Sequence, residues 1–184
     1  MSTWTIPART PAGAPGSDRA ARRRLAQIDA VSARLAELHA IHDLVSDATS
    51  IIGQRWVQHA WFAVATPRGE RLLTAHQVRH VYTFPVTGAC LAGSIVLAAG
   101  GPDQARSQLV QRTLDLTWHT LVGDDDPPTT LCPAPPVRAR RLLDLTRWND
   151  VPGRSHHEVV ALLDRTSRYA DRHAESHRAE LLDA

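Results

Sequence analysis

From residue 18 to about residue 50 the chain runs without a single Gly or Pro. Nothing in that stretch stops a helix, and the apolar residues recur at helical spacing. Ile28, Val31, Leu35, Leu38 and Val45 alternate at three- and four-residue intervals, with His42 filling the missing place. This is a heptad stripe of about three repeats. A helix of this length has to bury its stripe, and two settings would do so: the body of its own domain, or a second copy or partner helix. In a seam, a protonated His42 would weaken the contact. Ser17 and Asp18 are suited to capping the start, where Asp18 complements the helix dipole. Arg19, Arg22, Arg23 and Arg24 oppose that dipole, so helix stability is not their purpose. A solvated face is the ordinary reading of such a run, and contact with phosphate the sharper one. Residues 1 to 16, rich in Pro, Gly, Ala and Thr, read as a flexible arm that Trp4 would anchor.

The rest of the chain continues mostly at helical pitch. Residues 55 to 84 differ, since Trp56, Val57, Trp61, Phe62 and Val64 are aromatic or β-branched and Pro67-Arg68-Gly69-Glu70 is a turn. A short hairpin is one reading there, and a helical turn around Leu72 to His80 another. Residues 87 to 99 are the most apolar and predict a central helix, with Thr87 as cap and Gly100-Gly101 as stop. Gly93 and Ser94 would let another backbone approach it closely. Pro102 predicts the start of a helix reaching Val122, its buried stripe made of Val110, Leu114, Trp118, Leu121 and Val122. An acidic, Pro-rich loop follows over residues 123 to 136, then a short helix over 137 to 148. The last helix is expected from His156 to about Leu182, with a polar end. The fold class expected is mainly α: a compact helical bundle with a long N-terminal helix and a small irregular or β-hairpin insert. It divides into the arm 1–16 and a single helical domain 17–184, comprising the long helix 18–50, a core 51–170 and a polar end 171–184.

The corner between the last two helices holds the most specific local signals. Ser155 followed by Glu158 is a capping box. Pro152 and Gly153 punctuate the connection, and Asn149 is suited to closing the preceding helix in a left-handed conformation. It is the only Asn in a chain that has no Lys, a bias suggesting a GC-rich genome. Trp148-Asn149-Asp150, Gly153-Arg154-Ser155 and Glu158-Val159 resemble the C-terminal signature of a family of uncharacterised actinobacterial and actinophage proteins. In that family W-N-D-x-x-G-R-T-x-x-E-V follows, some tens of residues on, a block of the form W-C-A-x-G-A-L. Here Ala89-Cys90-Leu91-Ala92-Gly93-Ser94-Ile95 keeps the Cys and Gly spacing, with Ala89 in place of the aromatic. The resemblance spans roughly residues 50 to 170. It implies a common fold and carries no known activity.

Formal net charge is +2, too small for whole-molecule attraction to nucleic acid. Two cysteines, Cys90 and Cys132, are too few for a disulfide framework and suggest free thiols in a reducing cytoplasm. No apolar run is long enough to cross a membrane, and the start lacks the order of a signal peptide. Cys90, His119 and Asn149 follow the Cys–His–Asn order of papain-like enzymes, and a thiol at a helix start is favoured as thiolate. A small buried thiol is the commoner situation. The pairs His76/His80 and His173/His177, and the group His39/His42/Asp43, have metal-ligand spacing on a helix face. Exposed helix histidines are the ordinary alternative, and neither a metal nor a cofactor is expected. Arg138, Arg140, Arg141, Arg147 and Arg154, extended by Arg22 to Arg24, outline a nucleic-acid surface on a helix–turn–helix-like corner. No glycine-rich phosphate loop occurs. The function expected is therefore a non-enzymatic cytoplasmic binding protein, using the stripe Ile28, Val31, Leu35, Leu38, His42 and Val45 for a protein partner or self-association. A Cys90-dependent hydrolase or transferase and an Arg-mediated nucleic-acid binder are the rivals.

Overall fold

The computed structural model describes residues 15–123 and 133–182, and the side chains of 19–77, 81, 83–123 and 133–182. The arm's Trp4, the Asp124-Asp125-Asp126 run and Cys132 lie outside the described residues. Five α-helices dominate: α1 (Pro15–Gln54), α2 (Leu91–Ala98), α3 (Gln108–Val122), α4 (Pro135–Asn149) and α5 (His156–Leu182). Three short strands, β1 (Phe62–Thr66), β2 (Gly69–Leu73) and β3 (Val86–Ala89), form an antiparallel sheet in the order β2-β1-β3. The architecture is mainly helical with one small sheet.

The stripe of α1 is covered by α5. Val31, Leu38 and Val45 are buried, along with Ile41, Leu44, Ala48 and Ile52. From α5, Val159, Leu162, Leu163, Thr166 and Ala170 are buried too. The two helices run antiparallel. His156 Nε2 lies 3.0 Å from Ile52 O. Farther along, His42 Nδ1 is 3.0 Å from Ser167 Oγ and 2.9 Å from Asp171 Oδ1.

The insert corrects the sequence reading in one respect. The hairpin β1–β2 exists, with Phe62 opposite Leu73 and Thr66 opposite Gly69. Residues 86–89 are not the first turn of the apolar helix but a third strand, with Phe62 opposite Ala89. Backbone bonds from Val57 N to Ala89 O and from Ala89 N to Arg55 O, both 3.1 Å, hold its end. These partners lie more than thirty residues upstream of Ala89, so no local pattern announces them. Thr87 is thus a strand residue. The cap of α2 is Cys90, whose Sγ accepts from Gly93 N at 3.3 Å. As expected, α2 is central: Leu91 to Val96 are all buried.

Three boundaries also move. Helix α1 already begins at Pro15, so Ser17 and Asp18 lie within its first turn and do not cap its start. The helix expected from Pro102 is interrupted at Ser107, which is extended (φ −62°, ψ 150°) and caps α3 by accepting from Val110 N. Only a short 3-10 turn, Pro102–Arg106, precedes it. Asn149 does not adopt a left-handed conformation: it is the last residue of α4, closed by Asp150 at φ −94°. The left-handed residue in the connection is Gly153, at φ +84°, where L side chains are disfavoured.

Candidate functional site

The corner signature forms a clasp between α4, the start of α2 and the segment leading into the sheet. Asn149 is 1% exposed, and all four of its hydrogen-bonding positions are used. Oδ1 accepts from Trp56 Nε1 at 2.8 Å and from Leu91 N at 3.1 Å. Nδ2 donates to Val57 O at 3.3 Å and to Asp150 Oδ1 at 2.8 Å. A neutral amide is the one side chain that both accepts twice and donates twice. Gln58 Nε2 adds bonds to the carbonyls of Asn149 and Val151. Asp150 Oδ1 also accepts from His59 N at 2.8 Å, fixing His59 at φ +59°. Histidine enters that region more readily than bulkier residues. Trp56, Gln58 and His59 were not singled out as members of this cluster. Their separation of ninety residues or more from Asn149 leaves no local signal.

On the outer side, Arg154 Nε donates to Trp148 O at 3.0 Å, and its guanidinium lies 4.0 Å from the Trp148 ring centroid. It also pairs with Glu158. Ser155 N donates to Glu158 Oε2 at 2.8 Å, and Glu158 N to Ser155 Oγ at 3.2 Å. The Ser155 amide and hydroxyl, helped by Arg154, hold the Glu158 carboxyl below its ordinary range. This contribution to stability is present above the ordinary carboxylate pKa and is lost as the pH falls through the lowered value.

Cys90 adjoins the clasp but is 2% exposed. Burial, opposed by the Gly93 amide and reinforced by Asp150, pushes its thiol up to about 12. The dipole effect on a thiol at a helix start is thus outweighed by desolvation. Asn149 lies beside the Cys90–Leu91 junction, whereas His119 is on α3, edge-on to Trp118. A thiol titrating near 12 is ionised to roughly one part in ten thousand at pH 8. Iodoacetamide at pH 8 is therefore expected to label Cys90 only as fast as the chain opens; peptide mass mapping reads this, and labelling within minutes in the folded state would overturn it. The sign of the linkage gives a second readout. Stability from the raised thiol is complete below about pH 9 and is lost as the pH rises towards 12, so Cys90→Ala flattens that alkaline decline.

The remaining candidate residues disperse. His42 contacts Ser167 and Asp171 through the same Nδ1, so its ring cannot relay a proton from one to the other. His39 and Asp43 are exposed. His173 stacks on Tyr169 at 4.3 Å, and burial, then His177 and Arg172, lowers its pKa. His177 Nδ1 lies 3.2 Å from Glu180. His76 is exposed, and the His80 side chain lies outside the described residues. Among the described residues no group of three His, Cys, Asp or Glu is placed to hold a metal. On α4, Arg140 pairs with Asp144, and Arg141 pairs with buried Asp115 and covers the Trp118 ring. Arg138 is half-buried and Arg147 exposed.

The other end of α1 is built differently. Between His156 and Ser167, α5 advances 11 residues while its neighbours on α1 retreat 10, from Ile52 to His42. Carried on at ~1.5 Å per residue for each helix, the end of α5 at Leu182 reaches about residue 27 of α1. Exposure agrees: residues 19 to 27 are all exposed, Ile28 is half-buried and Val31 is buried. The turns from Pro15 to Ala26 thus overhang α5 by ~18 Å. Arg19, Arg22 and Arg23 fall on one side of the overhang. Arg24 sits four residues before Ile28, on the line of the apolar stripe. The stripe turns polar at the point where α5 runs out.

The fold and the corner define a mainly helical protein with a small antiparallel sheet, clasped by a Trp-Asn-Asp segment whose Asn is buried. A family model matches residues 36–169, and the chain belongs to that family, a family of unknown function (DUF6197). Neither curated proteins nor solved structures provide a match. The family region begins after the overhang and contains the whole clasp.

Proposed function

We propose that this is a non-enzymatic binding protein that engages a macromolecular partner through the overhanging first turns of α1. The observation that carries this reading is the length mismatch between α1 and α5. About three turns of helix extend past the packing partner, and they hold four arginines. Elsewhere the chemistry-bearing groups serve the fold. Asn149 is saturated with internal hydrogen bonds, Cys90 caps a buried helix as a neutral thiol, and Arg141 is paired inside. Occupation of the α1 stripe by α5 argues for a partner at the overhang over self-association along the seam. A free buried thiol at Cys90 fits the reducing interior of a cell, and the all-arginine basic content fits an actinobacterial or phage source.

The test compares the full chain with one beginning at Gln27 as baits in an extract of the native host. The removed turns pack on nothing described, so the shortened chain is expected to melt within a few degrees of the full one. It should lose a set of captured macromolecules that the full chain retains. Identical capture by both baits, with both folded, would reject the reading.

A further inference from the structure

We infer that the overhang of α1 docks on the phosphate backbone of duplex DNA, with Arg19, Arg22, Arg23 and Arg24 as the contacting residues. This deepens the proposed function and rests on it. Four arginines lie within six residues, and all four are exposed. Arginines 55, 112, 140, 141 and 154 form ion pairs, and among the described residues none of these four does. No carboxylate among the described side chains neutralises their charge.

Three alternative occupants fit less well. In a second copy docking tip to tip, eight guanidinium groups would face one another, and Arg24 interrupts the apolar line a coiled coil needs. A protein partner needs roughly 800 Å² per side around an apolar or aromatic centre. Among the described side chains before Ile28, only Leu25, 61% exposed, is large and apolar, and the others from Arg19 to Gln27 are Arg, Ala and Gln. The same lack of an apolar face argues against a lipid surface. A polyanion requires no such anchor, because backbone neutralisation supplies the binding free energy.

Shape narrows the choice further. A single helix is about 10–12 Å across with its side chains, and the major groove of B-DNA is about 12 Å wide. An end that overhangs its neighbour by about 18 Å can enter the groove without the rest of the body following. Arg19 and Arg23 are a turn apart on one side, with Arg22 between them, and Arg24 lies across the helix. The guanidinium groups thus face both walls of a groove, where the phosphates are. A-form RNA has a deep, narrow major groove that does not admit the helix.

The test is fluorescence anisotropy with the full chain and a labelled mixed-sequence DNA duplex, between 50 and 200 mM salt. Four phosphate contacts predict a log–log slope of about −3.6, which is roughly a 100-fold loss of affinity across that range. The variant carrying Arg19→Gln, Arg22→Gln and Arg23→Gln keeps helix propensity and is expected to keep its circular dichroism. It should bind DNA more weakly, and its salt sensitivity should fall to about 4-fold, the value for one remaining contact. Absence of binding at 50 mM salt, or unchanged affinity and slope in the folded variant, overturns the proposal. An RNA duplex that binds as tightly, or poly-glutamate that displaces DNA charge for charge, overturns the choice of duplex DNA. Failure here while truncation at Gln27 still abolishes capture would reject only the partner's chemistry. Unchanged capture by the truncated chain would reject the overhang itself.

Discussion

Replacing Asn149 with alanine is expected to lower the unfolding free energy by about 3–5 kcal/mol, among the largest effects a single side chain in this protein can have. The substitution removes four hydrogen bonds at once. It leaves the Trp56 indole N–H, the Leu91 amide and the Val57 carbonyl facing a void of a few atoms. Each buried polar group left without a partner costs about 1–3 kcal/mol, and partial entry of water reduces the sum. With a urea dependence of ~1–3 kcal/mol per molar, the unfolding midpoint should drop by roughly 2 M. Asn149→Asp is the informative control. It keeps the acceptors but loses both donors, and it sets a second carboxylate beside Asp150 in a buried place. An effect at least as large is expected. A loss below about 1 kcal/mol for alanine would mean that the clasp does not hold the corner.

Gly93→Ala is expected to be comparably severe for a steric reason. A Cβ at residue 93 would lie 2.2 Å from Trp61 O and 3.2 Å from Phe62 Cε1. The nearest atom is a backbone carbonyl, which itself accepts from Cys90 N at 3.0 Å. Relief would require α2 and the residues before β1 to separate, where Leu91 to Val96 are all buried. Overpacking of this kind costs about 1–3 kcal/mol and sometimes more, so a loss of about 3 kcal/mol is expected. Gly53→Ala has the opposite sign. It is a helical position with nothing within 4 Å of the added Cβ, and there alanine should stabilise by about 0.5 kcal/mol. Thermal and urea unfolding of both variants read the contrast. Equal behaviour of the two would show that the approach of α2 to Trp61 is looser than 2.2 Å implies.

The two variants also mark what was legible before any coordinates. Close approach at Gly93 follows from a small residue inside a fully apolar helix. The burial of Val31, Leu38 and Val45 and the reciprocal Ser155–Glu158 bonds follow from patterns within a few residues. The strand Val86–Ala89 was hidden for the opposite reason. Its four residues, one of them Gly, have no period of their own, and their partners are at Arg55, Val57 and Phe62. The break at Ser107 was hidden because Pro102 is an equally good start for a 3-10 turn. Asn149 was conspicuous as the single asparagine, but its chemistry was not readable. A helix-end asparagine and a buried four-bond node look alike until Trp56 and Leu91 are known to be adjacent.

The amino-acid order alone determined that this chain is mainly helical, where its long stripe lies and how its last corner is stapled. Those features depend on hydrophobic period, helix stops and caps, which act over one or two turns. Tertiary structure decided what the stripe meets, which groups are saturated and which stay exposed. Those outcomes depend on contacts across tens of residues and on the relative lengths of two helices. Arg22 and Arg141 are the same residue type in basic runs of similar appearance. One stands on an overhang and the other pairs with a buried aspartate, because α5 ends near residue 27 of α1 while α3 lies directly against α4.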